Sequence, residues 1–248
     1  MALTKEQVQA LGFTRPASKG PDWNEEAQTR GSLRNPRQLW PNGIIPYVIS
    51  REIDARGRQL IRDSMHDWDK HVCINFKQRE EEQSYIKFVY KTGCWSYVGH
   101  TGRPQEVSIG RYTEDPPCDR GALTHELGHA LGFFHEQSRP DRDKYVKINW
   151  ENIRRGTEKN FEKATEDMID SREVPYDVGS IMHYSKYAGN NRPGLITIQA
   201  VEPSAEIGQR KKPSKLDIQQ ARLMYKCGKR SLKQFKIRDF KKSCSFVN

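Results

Sequence analysis

Three histidines and one glutamate between positions 125 and 135 carry the densest chemistry in this sequence. The string runs His125-Glu126-Leu127-Gly128-His129-Ala130-Leu131-Gly132-Phe133-Phe134-His135. On a helix, residues four apart stack on one face, so His125 and His129 present their imidazoles to a single ion. Glu126 stands one residue round from His125, near enough to hold a water on that ion without ligating it. A helix that ran on past Leu131 would carry His135 away from this face. Gly132 removes the difficulty, because glycine accepts the positive φ that ends a helix sharply and turns the chain back. Three neutral imidazoles suit Zn2+ and leave one position open to water. Such an ion acidifies the water and polarises a carbonyl. Glu126 is then placed to take the proton and pass it to a leaving amine. A carboxylate suits that work because a neighbouring cation favours its ionised form. The expected reaction is hydrolysis of a peptide bond without a covalent intermediate.

These side chains need elements to hold them. Residues 121–133 read as the helix that bears the first two histidines. Upstream, residues 44–49 form a short β-type run after Pro41-Asn42-Gly43, and residues 85–90 form another. Between them, Leu60, Ile61, Met65, Trp68 and Val72 recur at helical spacing within residues 54–72. Residues 91–120 read as loops around short strands such as 107–109. Downstream, helices are expected over 150–163 and over 215–225, the latter with Ser214 as N-cap and Gly228 as stop. Residues 1–30 show little periodicity beyond a short possible helix at 4–11 and read as a leader or pro-segment. Ser180-Ile181-Met182-His183-Tyr184 supplies a methionine turn, and the extended histidine string joined to such a turn is the metzincin signature.

Composition sets the frame. A hydrophobic fraction of 35% with 30% charged residues suits a soluble globular protein. No apolar run reaches the roughly 18 residues that a spanning helix requires. Residues 1–10 lack the apolar core of a signal peptide. The net charge is +10, of which residues 229–248 hold +6, seven Lys or Arg against one acid. This is a tail property: such tails are solvated or touch anionic surfaces loosely, and no nucleic-acid partner is expected. Five cysteines, Cys73, Cys94, Cys118, Cys227 and Cys244, include no C-x-x-C pair. Their wide spacing fits two disulfides and one left over in an oxidising compartment. Free thiols in a cytosolic protein are the competing reading. His66, His71, His100 and His183 are expected to be structural or exposed. No N-x-S/T sequon is present.

Beyond His135 the chain reads Glu136-Gln137-Ser138-Arg139-Pro140-Asp141-Arg142-Asp143, and this resembles the astacin family. Trp40-Pro41 with Ile45-Pro46-Tyr47, Cys94-Trp95-Ser96-Tyr97-Val98-Gly99, Pro175-Tyr176-Asp177, Ile207-Gly208-Gln209-Arg210, Asp217-Ile218 and Tyr225-Lys226-Cys227 are similar to the same family. The likeness covers residues 31–228. It implies an α+β, zincin-like catalytic domain of two lobes. The N-terminal lobe would hold a twisted mixed sheet and two long helices, and the C-terminal lobe would be mostly irregular. It also implies one Zn2+ held by His125, His129, His135 and Tyr184, with Tyr184 and Glu126 catalytic and Met182 beneath the site. The disulfides it implies are Cys73 with Cys227 and Cys94 with Cys118. Glu136 would anchor a new N-terminus, and the family's mature start, counted back from Trp40, places activation at Arg30–Gly31 and makes 1–30 a pro-segment, with 229–248 left as a basic tail. Asp22, in Gly20-Pro21-Asp22-Trp23, is the candidate latent-state ligand, and Cys244 has no partner in this pattern.

The expectation is therefore a secreted, monomeric zinc endopeptidase acting on proteins or peptides, with an incomplete start rather than a cytosolic location. The competitor from another class is a catalytically silent extracellular binding module on the same fold. Such relatives lose Glu126 or a ligand, and here all are present. A surface-binding role for the basic tail is compatible with either.

Overall fold

The computed structural model describes residues 32–33, 35–111, 118–165 and 167–228. The leader at 1–30, with Asp22 and Arg30, and the tail at 229–248, with Cys244, lie outside the described residues. Five strands form the main sheet in the order β3 (Asn75–Gln78), β2 (Ile44–Ile49), β4 (Ile86–Val89), β6 (Gln105–Ile109), β5 (Cys94–Ser96). All neighbours run parallel except β5, which pairs antiparallel with β6 from Cys94 opposite Ile109 to Ser96 opposite Val107.

Parallel strands need crossovers, and the first of these is α1 (Ala55–Asp69) between β2 and β3. Asp54 caps it, its carboxylate accepting Gly57 N at 2.8 Å. The apolar positions expected for this helix point inward, with Ile61 and Trp68 fully buried. Helix α2 (Arg120–Leu131) follows β6 and packs on α1. Trp68 Nε1 donates to Thr124 O at 2.8 Å across that contact. Asp67 bridges the same two helices through Arg120. Nine of the twelve residues of α2 are buried, so it runs through the core rather than along its surface.

A second apolar cluster, Val146, Ile148, Ile153, Phe161, Tyr176, Tyr184 and Ile198, lies under the chain after His135. Its regular structure is slight: β7 (Val146–Ile148) pairs with β9 (Ile198–Ala200), and β1 (Ser32–Leu33) with β8 (Ile169–Asp170). The helix expected over 150–163 does not form. Short 3-10 turns at Trp150–Asn152 and Glu158–Phe161 stand there instead. Gly156 between them takes φ +87, and Asn149 and Asn152 donate their side-chain amides to Ile196 O, so tertiary contacts override the helical spacing. Helix α3 (Lys215–Met224) closes the described chain, with Ser214 and Asp217 forming a reciprocal capping box. Disulfides join Cys73 to Cys227 and Cys94 to Cys118, the two pairs the resemblance implied. Among the described residues, no helix is long and apolar enough to cross a membrane.

Candidate active site

Helix α2 is begun by Asp119, whose carboxylate accepts Ala122 N at 2.7 Å, and is ended by Gly132 at φ 110. That left-handed residue does what the spacing predicted. Phe133 and Phe134 fold back, and His135 returns beside the helix. The ring centroids of His125, His129 and His135 lie 4.6–5.3 Å apart. Their ligand atoms all fall within 4.8 Å of one another, and all three residues are buried. His129 Nε2 and His135 Nε2 approach to 3.1 Å.

The outward nitrogens are already committed. His125 Nδ1 donates to Ile181 O at 2.7 Å and His129 Nδ1 to Phe133 O at 2.8 Å. Each of these bonds fixes its ring and leaves Nε2 as a bare lone pair facing the cluster. Burial disfavours protonation there. It pushes His125 and His135 well below the usual imidazole range and His129 down to about 4, against the pull of the Phe133 carbonyl. Three neutral, converging imidazoles, those of His125 and His129 with fixed tautomers, fit Zn2+.

Glu126 stands next to His125 on α2. Removal from water pushes its carboxyl up to about 8, with the Arg210 guanidinium pulling the other way. The ring of Tyr184 lies 4.3 Å from that of His135, and Tyr184 N donates to Gln137 Oε1 at 3.0 Å. Burial raises the Tyr184 hydroxyl, so it stays protonated. Met182 lies under the cluster without entering it. It is fully buried, and a Cβ on Gly128 would stand 2.5 Å from its sulfur. His183 turns away from the cluster, its Nε2 2.8 Å from the Tyr176 hydroxyl and its Nδ1 donating to Tyr184 O. His100 packs on Trp40, and His66 is exposed. None of these joins the site.

Glu136 points to the other side of the turn. It accepts from Asp177 N at 2.8 Å and from Arg139 Nη1 at 3.1 Å, and burial pushes it up to about 8. Two residues that sequence spacing does not single out also converge here. Arg210 Nη1 donates to Ile181 O and His183 O, and Asp217 accepts Ile181 N. Their only sequence signal is membership of the family-like stretches in which they occur.

Comparisons with known proteins agree with this geometry. The sequence model of the peptidase family described as Astacin matches residues 32–226. Nematocyst expressed protein 6 of Nematostella vectensis is 45% identical over 228 residues, covering 92% of this chain and 75% of that protein. Bone morphogenetic protein 1 of Xenopus laevis is 44% identical over 243 residues, but this chain spans only 33% of its length. Among solved structures, High choriolytic enzyme 1, a hatching enzyme zinc-protease from Oryzias latipes, superposes with a TM-score of 0.70 at 41% identity. That match covers 77% of this chain and 94% of the other. The chain belongs to the astacin family of peptidases and carries the catalytic domain of a zinc metalloendopeptidase.

Proposed function

We propose that this chain is a secreted endopeptidase, made as a zymogen, in which His125, His129, His135 and Tyr184 hold one zinc ion and Glu126 moves the proton. The observation that carries the reading is the convergence of three buried imidazoles, two of them, His125 and His129, fixed from behind by backbone carbonyls. When bound, zinc supplies Lewis acidity, polarising the scissile carbonyl and easing the loss of a proton from water.

The chain's own groups do the rest. Glu126 accepts a proton from the attacking water and returns it to the leaving nitrogen, so one water is consumed and one C–N bond breaks. Burial alone would keep that carboxyl protonated, while Arg210 and a bound cation both favour the carboxylate that a base requires. Tyr184, swung away from the ion and kept neutral, has an O–H to donate to the carbonyl oxygen as negative charge grows on it. With Glu126 and all three histidines in place, nothing favours a silent binding module.

Activation is read from Glu136. A carboxyl buried this deeply, with burial raising it to about 8, is an acceptor for one more cation. The α-amine released by a cut at Arg30–Gly31 supplies one. Two disulfides favour an oxidising, extracellular location. The tail at 229–248, with +6 of the charge, suits loose contact of a monomer with anionic surfaces.

The test is hydrolysis of peptides by the chain before and after limited trypsin treatment, with and without a zinc chelator, alongside Glu126→Ala. Activity that appears on cutting at Arg30, vanishes with chelator and is missing in the variant is the expected result. A folded, zinc-loaded and trimmed sample without activity would sink the enzyme reading in favour of a binding module.

A further inference from the structure

Ile181 is held at its N–H and at its carbonyl by charged side chains, and the ring of His125 hangs from the carbonyl. Its carbonyl accepts from His125 Nδ1 at 2.7 Å and from Arg210 Nη1 at 2.8 Å. Its N–H donates to Asp217 Oδ2 at 2.9 Å. Asp217 Oδ1 accepts from the Ser180 hydroxyl at 2.6 Å, and Ser180 Oγ accepts Met182 N at 2.9 Å. Three successive residues of the methionine turn are thereby tied to one carboxylate that is 4% exposed.

That carboxylate is fixed in its turn. It sits in the first turn of α3 and accepts Ser214 N at 2.8 Å, while Ser214 Oγ accepts Asp217 N at 2.9 Å. The far end of α3 reaches the same histidine-bearing helix, for the Tyr225 hydroxyl donates to Leu131 O at 3.0 Å. Bonds to an ionised acceptor are stronger than neutral ones. The Ile181 carbonyl shares its amide with Met182 N–H, so the run from Asp217 through Ser180 Oγ to that N–H polarises it. A carbonyl so held sets the ring it faces and makes the ring's opposite nitrogen a better donor to a metal.

We propose that Asp217 is a positioning residue for His125, acting through Ser180 and the backbone of Ile181 and Met182 to keep the imidazole's Nε2 aimed at the ion. The proposal rests on the assignment of His125, His129 and His135 as zinc ligands. It makes α3 a working part of the site although none of its side chains enters the cluster.

The test uses the zinc-loaded full chain. It follows zinc release into excess chelator well below the melting temperature, together with the visible spectrum of the cobalt-substituted protein. Asp217→Asn is expected to weaken zinc retention about 10- to 100-fold and to shift the cobalt bands. Ser180→Ala should act in the same direction by less. Tyr225→Phe, which loosens the other end of α3, should lower the melting midpoint and leave zinc retention unchanged. Parental retention in a folded Asp217→Asn protein would overturn the proposal, as would zinc release that follows the melting midpoint across all three variants. If Asp217→Asn does not fold, parental retention in Ser180→Ala overturns it instead. A folded parent chain that holds no zinc would overturn the ligand assignment beneath it.

Discussion

His129 Nε2 and His135 Nε2 stand 3.1 Å apart, while the other nitrogen of His129 is spent on Phe133 O. His129 Nε2 is a bare lone pair, so the gap is bridged either by a proton carried on His135 Nε2 or by a cation. Burial drives His129 down to about 4, so at neutral pH no added proton competes with a cation for its Nε2. Added zinc should therefore raise the melting midpoint, by about 2.7 kcal/mol of stability at a hundredfold excess over Kd. EDTA should reverse the gain and stop peptide hydrolysis. A melting curve indifferent to zinc would count against the ligand set.

Gly132 fixes where His135 lands. Its φ of 110 is strained for any residue with a Cβ, and that atom would press Leu39 Cδ2 at 3.0 Å and Met224 Cε at 3.1 Å. Gly132→Ala should cost about 1–3 kcal/mol of stability. Because His135 moves with the turn, kcat/KM should fall at least about tenfold, the size of effect that roughly 1.4 kcal/mol in the transition state produces. Circular dichroism would show the fold retained. Parental kcat/KM in this variant would refute the argument.

Gly128 carries a different constraint. Alanine there gains about 1 kcal/mol in helix propensity, yet its Cβ meets Met182 Sδ at 2.5 Å and Trp68 Cζ2 at 3.2 Å. Overpacking of about 1–3 kcal/mol outweighs the gain, so Gly128→Ala should be destabilising. Combining it with Met182→Ala, which removes the obstructing sulfur, should cost less than the sum of the single changes by at least about 0.5 kcal/mol. Strict additivity in urea unfolding would show that the sulfur is not the obstacle.

Asp67 ties α1 to α2 through Arg120 Nε at 2.8 Å and Nη2 at 2.6 Å, with Lys70 and Thr124 adding bonds. Burial raises its carboxyl, but the Arg120 and Lys70 bonds outweigh that and the net shift is downward. The folded state therefore binds fewer protons than the unfolded chain over this window. The contribution is full above roughly pH 4 and is lost as pH falls through the lowered folded value. Asp67→Asn should lose about 1–2 kcal/mol at neutral pH and flatten the acid limb of stability against pH. An unchanged acid limb would assign acid sensitivity elsewhere.

What could be read from the sequence was local. Two histidines four apart, a glycine three further on and a serine before an amphipathic run each act within a few residues, and the fold obeys all three. The helix expected over 150–163 was lost to Asn149 and Asn152, whose amides reach Ile196 O, 44 or more residues away. Arg210 and Asp217 reach Ile181 across 29 and 36 residues, and no periodicity connects such positions. Tyr184 and both disulfide pairings came from family likeness rather than from any spacing. Side chains that bear on the site through the backbone of another segment remain invisible until that segment is placed.

The bond between Cys73 and Cys227, 154 residues apart, makes a covalent ring, and every residue of the site from His125 to Asp217 lies inside it. An enzyme that cuts peptide bonds endangers its own loops, such as the one around Val201, 59% exposed. A single nick within the ring leaves both pieces on one molecule, so the broken ends stay at high effective concentration and the packed halves need not find each other again. Such a nicked chain would run as one band without reductant and as two with it. The ring gives the catalyst tolerance of its own cutting.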